Sequence, residues 1–508
     1  MCFRAMKLLI FLHFCGKIEL PQNKNTDKRG EKIMRKNKMQ MSLADTYNDV
    51  CSVAENDKRD FLELLDKHID FQRLIPAEFC WAFYKHFGRP REYPLEGFIR
   101  FCVLQKILGI EKNSTLINVM KVSSEMREFC RFEVVPDASK ITRFKQDFVY
   151  YIQKVFDNLV EVTEPICREI DAKKADYLMY DSTGIEANVA ENNPKFLNTK
   201  LNNAKKLAKG NPDLNPHSLA YAAMPEISEA NPFVKQQYIN GHFCYAFKAG
   251  ILANGLGIVR NISFFDDDFR RKHPEVVSKK TDNPELDKEV GDSISLKPVL
   301  SDFFEAHPSF SYKTFLGDSA FDKYDTYTLL RKDFHFERVA IPLNPRNTAA
   351  AHSDFDDDGT PVCPLDRTRF NYFGKSGGKN RSMRFKWVCH QSKQLRGLSF
   401  RVCTCPNPCT DSAYGRCVYT YPDKDFRLYP GIPRGTEHWK NLYRHRVLIE
   451  RSIYLLKEPL CGVTRKSFSS RTAKAELLFA GITQLIGVVL AKAINKLKLF
   501  KSVRKLIA

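Results

Sequence analysis

Residues 443–458, YRHRVLIERSIYLLKE, place two glutamates among five basic residues, and their spacing predicts one helix. At about 100° per residue, five apolar side chains share one side of this helix: Leu448, Ile449, Ile453, Leu455 and Leu456. Four polar residues fall within about 60° of one another on an outward ridge: Tyr443, Arg446, Glu450 and Lys457. An Arg446–Glu450 pair on a solvated helix would add only a few tenths of a kcal/mol. A functional ridge instead requires partner carboxylates elsewhere in the chain.

The composition limits the class of protein. The chain has 508 residues, enough for about two to four domains. Its 43% apolar content excludes a mainly disordered protein. Lysine and arginine number 80 against 60 acidic residues, which gives a net charge of +20. Such an excess favours a polyanionic partner, most often nucleic acid.

Two apolar segments raise the question of a membrane. The N-terminal stretch MCFRAMKLLIFLHFCGKIEL has a basic start and a short apolar run, but no small-residue cleavage site follows. We expect residues 1–45 to be a disordered basic extension, with Met41 as a candidate start. Residues 477–491 are apolar but shorter than the roughly twenty residues of a membrane span, so they predict a core helix. The expected protein is cytoplasmic and has no membrane partner.

The segment 46–172 has helix-type spacing almost throughout, as in SKITRFKQDFVYYIQKVFDNLVEV. Within PDAS, Pro136 is followed by Asp137 and Ser139, and either of these two can start a helix. The sequence therefore predicts a helical N-terminal domain. A plain packing domain and a DNA-binding domain both remain open.

The segment 173–345 changes to strand-type patterns. ADYLMYDSTGIEA predicts a short strand that ends at Asp181, and Thr183 and Gly184 are expected to break it. The stretch 191–240 is rich in Asn and Lys and is interpreted as a long loop or insertion. Asn254-Gly255 between two β-type runs predicts a hairpin. The order β–β–β–α–β–α–β predicts a mixed sheet covered by helices.

Three carboxylates stand out by position. Asp181 closes the first strand and Asp318 closes TFLGD, so both can point into a cleft that Glu450 also reaches. Three clustered acids repel one another unless a cation lies among them, and oxygen ligands suit Mg²⁺ or Mn²⁺. Two such ions polarise a phosphodiester and activate water. Each acid taken alone can also be a helix cap or a surface residue.

Four positions now carry a resemblance to a known family. Tyr443, Arg446, Glu450 and Lys457 match Tyr-x2-Arg-x3-Glu-x6-Lys, and the chain resembles the bacterial insertion-sequence DDE transposases that this pattern marks. YDSTGI, LGDSAFD and VPDASKITRF are similar to other regions of those enzymes, so the resemblance runs from about residue 55 to 490.

The resemblance implies an α+β mixed fold: a helical N-terminal domain, then a ribonuclease H-like mixed β-sheet core with flanking helices. It implies that Asp181, Asp318 and Glu450 bind Mg²⁺ (or Mn²⁺), as two ions, and catalyse DNA cleavage and strand transfer. Tyr443, Arg446 and Lys457 would contact DNA near the cut ends. The expected partners are double-stranded inverted-repeat ends, target DNA and further copies of the chain on paired ends.

A Cys-rich insert, 346–435, is expected to interrupt the core, which resumes in 436–508 with C-terminal helices and a basic tail. Six of the 15 cysteines crowd there: Cys363, Cys389, Cys403, Cys405, Cys409 and Cys417. They predict either a structural Zn²⁺ site or unligated cysteines in a loop-rich insert, because no C-x2-C pair is present. The acidic runs 266–268 and 356–358 are rival metal ligands but are more typical of solvated loops.

Two other functions remain open on the sequence alone. One is a domesticated or inactive transposase-derived DNA-binding protein. The other is a structure-specific nuclease that cuts DNA on the same fold without joining it, because a fold alone does not determine the reaction.

Overall fold

The computed structural model describes most of the chain from residue 61 onward. The described residues are 61–85, 88–209, 211, 214–225, 227–231, 234–239, 242–276, 290–345, 354–378, 381–462 and 469–506. The predicted N-terminal extension, 1–45, lies outside them.

The N-terminal part of the described chain is helical, as predicted. Its helices are α1 (61–68), α2 (Phe71–Leu74), α3 (Ala77–Phe83), α4 (Leu95–Leu108), α5 (Asn113–Val122), α6 (Ser124–Phe129), α7 (Ala138–Asp147) and α8 (Val149–Ala175). Asp137 is the N-cap of α7, and its carboxylate accepts the backbone N–H groups of Ser139 and Lys140. Of the two predicted start residues, Asp137 is therefore the cap.

The next segment forms a mixed sheet. Its strands are β1 (Tyr177–Glu186), β2 (Lys235–Ile239), β3 (His242–Asn254), β4 (Val259–Phe264), β5 (Thr314–Leu316) and β6 (Arg338–Ala340). The order is β2-β3-β1-β5-β6, and β4 also pairs with β3. Strands β1, β5 and β6 are parallel, whereas β3 runs antiparallel to β1, β2 and β4. The β3–β4 pair confirms the hairpin predicted at Asn254-Gly255.

Helices flank and connect these strands. They are α9 (Pro194–Leu207), α10 (Pro216–Ala222), α11 (Asp267–Lys272), α12 (Asp292–Ala306) and α13 (Tyr324–Thr328), and a π-helical turn (Leu329–Asp333) continues α13. The two helices predicted after the hairpin correspond to α12 and α13.

Two predictions about this segment were wrong. The stretch 191–240 is not one long loop, because it contains α9 and α10. Asn193 and Asn215 cap these helices and a proline follows each cap, which is a typical helix start. Strand β1 does not end at Asp181 either. It continues to Glu186, because Thr183 and Gly184 pair with Ala249 and Lys248 of the long strand β3.

Residues 354–429 hold a smaller set of strands: β7 (Asn371–Gly378), β8 (Arg381–Val388), β9 (Ser392–Gln394), β10 (Arg401–Cys403) and β11 (Cys417–Thr420). They form a three-stranded sheet, β11-β8-β7, and a two-stranded sheet, β10-β9. A separate cluster of buried side chains fills this part: Cys363, Phe370, Phe385, Trp387 and Cys389.

The C-terminal part returns to helix with α14 (Glu437–Tyr443), a 3₁₀ turn (Arg444–Arg446), α15 (Val447–Lys457), α16 (Ser470–Ala493) and α17 (Val503–Leu506). Among the described residues, one helix, α16, is long and apolar enough to cross a membrane. However, 89% of its most apolar stretch is buried inside the protein. It packs against α8, α4 and β4, as the core helix predicted at 477–491 would.

Candidate active site

The parallel pairing of β1 and β5 brings the two aspartates together. The register pairs Met179 of β1 with Leu316 of β5, and Asp181 and Asp318 each lie two residues beyond that pair. Side chains two residues apart on a strand point to the same face. Both carboxylates therefore lie on the same side of neighbouring strands, where β5 has ended and β1 continues.

The segment 443–458 supplies the third carboxylate, but it is not one straight helix facing solvent. Tyr443 ends α14, the 3₁₀ turn carries Arg446, and α15 carries Glu450. The predicted apolar stripe is confirmed, since Ile449 and Leu456 are fully buried. The outward direction predicted for the polar ridge holds for Glu450, whose side chain is 51% exposed, but not for Lys457, which bonds to β1.

Arg446 joins the three acids. One of its terminal nitrogens, Nη2, lies 3.4 Å from Asp181 Oδ2 and 3.4 Å from Asp318 Oδ2. Its other terminal nitrogen, Nη1, lies 2.5 Å from Glu450 Oε1. The arginine side chain is only 18% exposed, so a single guanidinium bridges carboxylates from β1, the end of β5 and α15. The structure thus brings Asp181, Asp318 and Glu450 together.

Burial sets the electrostatics of this cluster. It raises the pKa of Asp181 to about 6, against the opposing effect of the Arg446 cation. Burial lowers the pKa of Arg446, but Asp181 and Asp318 outweigh it and the net shift is upward. The Nε–H of Arg446 is buried without a hydrogen-bond partner. An unsatisfied buried donor is costly, so this position of the side chain depends on its charge pairs.

A fourth carboxylate lies beside the three and was not singled out in the sequence. Asp292, the first residue of α12, accepts hydrogen bonds from Ser182 Oγ (2.6 Å) and Lys248 Nζ (2.5 Å). Its charge adds to the raised pKa of Asp181, after the larger effect of burial. The sequence did hold a signal for Lys248, which is a lone cation in the apolar run HFCYAFKAGILAN of β3.

The other two ridge residues do not touch the acids through hydrogen bonds. Lys457 Nζ donates to Thr183 Oγ1 (3.2 Å) and to the carbonyl oxygen of Gly184 (2.9 Å), so it holds α15 on β1. Tyr443 stacks on Trp439 with ring centroids 5.1 Å apart. Arg446 and Glu450 are thus the ridge residues that form the carboxylate cluster.

The cluster suits a cation. Oxygen donors from three elements are the ligands that Mg²⁺ or Mn²⁺ prefers, and the guanidinium shows that positive charge is accepted between them. Among the described residues, no three His, Cys, Asp or Glu side chains already stand close enough to hold an ion directly. The guanidinium occupies the space in which the three carboxylates would have to converge.

The rival acidic runs are engaged in other contacts. Asp266 caps α11 and pairs with Lys474 (2.9 Å), and Asp268 pairs with Arg271. In the second run, Arg369 pairs with both Asp356 (2.5 Å) and Asp358 (2.9 Å). The second run lies in a turn, as predicted, but the first is not a loop, because Asp266 caps α11 and Asp267 and Asp268 form its first turn.

The six clustered cysteines divide into two groups. Five of them line one cavity of about 280 Å³: Cys363, Cys389, Cys403, Cys405 and Cys409. Cys417 is not among the residues that line it. The structure therefore brings five of the six predicted residues together.

Comparison with known proteins gives one family match. Residues 51–147 match a family described as Transposase domain (DUF772). The match covers helices α1–α7 and stops before α8 and the sheet that carries the two aspartates. The N-terminal part of the chain is therefore similar to a transposase domain.

Solved structures and curated proteins add little to this match. The chain is similar to a piggyBac transposase, solved by cryo-EM as a synaptic complex with hairpin DNA. The TM-score is 0.35 and the identity 10%, over 88% of this chain and 77% of that chain. No curated protein matches the sequence.

Proposed function

We propose that this chain is a DDE transposase, which cleaves DNA and transfers strands at the inverted repeats of an insertion sequence. The observation that carries the proposal is the gathering of Asp181, Asp318 and Glu450 around Arg446, with 3.4, 3.4 and 2.5 Å contacts. The transposase-domain match in the N-terminal helices is independent support, because it includes none of these residues.

The sheet supports a ribonuclease H-like assignment of the core. In the order β4-β3-β1-β5-β6, the first three strands are antiparallel neighbours and the last three are parallel. The two aspartates lie on the central strand and just after its parallel neighbour. This placement lets two distant sequence segments supply adjacent carboxylates.

Asp181, Asp318 and Glu450 would hold Mg²⁺ or Mn²⁺. When bound, a pair of such ions polarises a phosphodiester and activates the attacking oxygen. Asp292 accepts hydrogen bonds from Ser182 and Lys248 beside the site. We propose that Asp292 positions these two residues. The pKa of Asp181, about 6, means that this carboxyl becomes protonated below about pH 6, where it would bind a metal ion less well.

Arg446 must give up its carboxylate contacts for the ions to bind, and DNA provides a new partner for its charge. A guanidinium binds phosphate oxygens through paired hydrogen bonds. We propose that Arg446 turns to the DNA backbone and that Tyr443 lies beside it. Lys457 would reach DNA only by breaking its two bonds to β1.

The net charge of +20 suits double-stranded DNA as the partner. We propose that the chain binds both element ends and target DNA, and that copies of the chain associate when two ends are paired.

Single carboxylate substitutions test the proposal. Asp181→Asn, Asp318→Asn and Glu450→Gln should bind duplex DNA with the native inverted repeats about as well as the parent, because the basic surface supplies most of the affinity. Their Mg²⁺-dependent nicking should fall about 10³-fold or more, since the loss of a metal ligand costs roughly 4 kcal/mol of transition-state stabilisation.

The matched control is Asp325→Asn, an exposed aspartate on α13, which should nick at the parent rate. Gel shift measures binding and gel electrophoresis of nicked strands measures cleavage. If all three variants nick like the parent, the chain is not a DDE enzyme. If the parent binds but never nicks, it is a DNA-binding protein of the domesticated type.

A further inference from the structure

The five cysteines that line one cavity come from distant parts of the segment 354–429. Backbone hydrogen bonds fix three of them in place. The N–H of Cys363 donates to Thr368 O (2.9 Å), and the N–H of Cys389 donates to Arg416 O (3.0 Å). The N–H of Cys403 donates to Ala413 O (2.8 Å). The chain thus directs a loop, the end of β8 and the end of β10 to a single space.

Three of these five cysteines are not small apolar residues in a core. Cys102, Cys130 and Cys167 in the helical part are fully buried, as unreactive core cysteines usually are. In contrast, Cys403 and Cys405 are partly exposed and Cys409 is exposed. Thiols that are gathered at a cavity yet reach solvent gain little from apolar packing, so another interaction is needed to explain their position.

The surrounding structure needs an additional cross-link. The buried cluster of this segment has only five residues, and two of them are Cys363 and Cys389. A core of that size stabilises a lobe of small sheets poorly, and proteins commonly add a metal or disulfides in such cases. The cysteines among the described residues are free thiols, so no disulfide supplies this stabilisation there.

Four of the five thiols form the best set. Cys363, Cys389, Cys403 and Cys409 all line the same cavity. Cys405 is otherwise engaged, because its Sγ donates to the carbonyl oxygen of Asn407 (3.2 Å). Cys417 points elsewhere, with its Sγ 3.9 Å from Gly415 O.

We infer that Cys363, Cys389, Cys403 and Cys409 bind one structural Zn²⁺ as a tetrahedral tetrathiolate site. Each thiol releases one proton to solvent on binding, so four thiolates and one Zn²⁺ leave a net charge of −2. Arg416, which also lines the cavity, offsets part of this charge.

Zinc binding requires the four sulfurs to move closer together. Zn–S bonds are about 2.3 Å long, whereas no three metal-ligating side chains in the described part of the chain stand that close together. The site does not depend on the proposed DNA chemistry, since it joins loops of a different sheet.

Metal content tests the inference in the full chain. Protein purified without added metal should contain about one Zn²⁺ per chain by elemental analysis. Cys363→Ser, Cys389→Ser, Cys403→Ser and Cys409→Ser should each lose most of it, whereas Cys405→Ser and Cys417→Ser should keep it. Zinc-free folded parent protein would overturn the inference, and equal loss from the Cys417→Ser control would overturn this ligand set.

A second measurement avoids variants that fail to fold. The parent protein with Co²⁺ in place of Zn²⁺ should show the visible absorption of a tetrahedral thiolate complex, and added Zn²⁺ should remove it. Absorption typical of octahedral oxygen ligands would overturn the assignment. Neither readout involves DNA, so this inference and the proposed function fail separately.

Discussion

At the scale of single residues, Arg446 is the cation that links the three candidate carboxylates. Its guanidinium contacts three carboxylates, its side chain is 18% exposed, and its Nε–H has no partner. In the proposed cycle the same charge is exchanged between two sets of anions. The carboxylates bind it without metal, and the DNA backbone binds it once metal has taken the carboxylates.

Arg446→Gln should therefore change the response to Mg²⁺. Without the competing guanidinium, the three carboxylates repel one another and gain more from a divalent ion, so Mg²⁺ should raise the Tm of the variant more than that of the parent. Cleavage should fall, because the phosphate contact is lost. Thermal melting across a Mg²⁺ titration measures the first effect.

Arg451→Gln is the control, since Arg451 is an exposed neighbour on α15 without a contact to the acids. It should show the Mg²⁺ response of the parent. If Arg446→Gln and the parent respond alike to Mg²⁺, Arg446 and the ions do not compete for the same carboxylates.

At the scale of elements, the contact between α15 and β1 determines the site. Lys457 bonds to Thr183 and Gly184, two and three residues after Asp181 on the same strand. Burial lowers the pKa of this lysine, so its position is less typical of a free phosphate contact than of a clamp between the two elements.

Lys457→Met keeps the length of the side chain and removes the charge. It should lower the free energy of unfolding by roughly 1.5–3 kcal/mol, because two hydrogen bonds of a charged group are lost. The salt dependence of DNA binding should stay that of the parent. Urea unfolding and binding at several salt concentrations measure these two quantities.

A different result would restore the role that the family resemblance implies for Lys457. If the variant unfolds like the parent and its salt slope drops by about one unit, Lys457 contacts a phosphate when DNA is bound.

The sequence predicted the acids of the candidate site and offered an Arg446–Glu450 pair, but it did not predict the contacts of Arg446 with Asp181 and Asp318. Asp181 and Asp318 were identified because each follows a strand-like run, and parallel strands bring such residues together. The helical period separated the polar from the apolar side of α15. It did not reveal what the polar side faces, because a ridge beside other carboxylates has the same spacing as one that faces only water.

The two wrong predictions about secondary structure have similar causes. Helices α9 and α10 have a polar composition, and their capping signals at Asn193 and Asn215 were outweighed by it. Thr183 and Gly184 were interpreted as a strand end from their local propensity, but pairing with β3 extends β1 past them. In both cases a non-local contact or a single cap decided the structure.

At the scale of the whole molecule, one buried core joins the N-terminal helices to the sheet and the C-terminal helices. At its centre, Glu476 of α16 pairs with Lys106 of α4 and Lys145 of α7, and the two lysine side chains are fully buried. These lysines lie in the segment that matches the transposase domain. The network thus fastens that segment to the C-terminal part of the chain.

Glu476→Gln should lower the free energy of unfolding at pH 7 by about 3–5 kcal/mol, because two buried lysines lose their counter-charge. Burial alone would raise the pKa of Glu476, but Lys106 and Lys145 reverse that and lower it to about 2. Urea unfolding of the parent, of Glu476→Gln and of Glu63→Gln, an exposed glutamate in α1, gives the comparison. The control should stay within about 0.5 kcal/mol of the parent.

The pH dependence follows from the same pair of lysines. A carboxylate whose pKa is depressed in the folded state stabilises the protein above its ordinary pKa of 4.5. That contribution is lost as the pH falls from 4.5 towards 2. The parent should therefore lose stability over this range more steeply than Glu476→Gln, which has no carboxylate to protonate. If the two unfold with the same acid dependence, Glu476 does not carry the charge that holds the two lysines in the core.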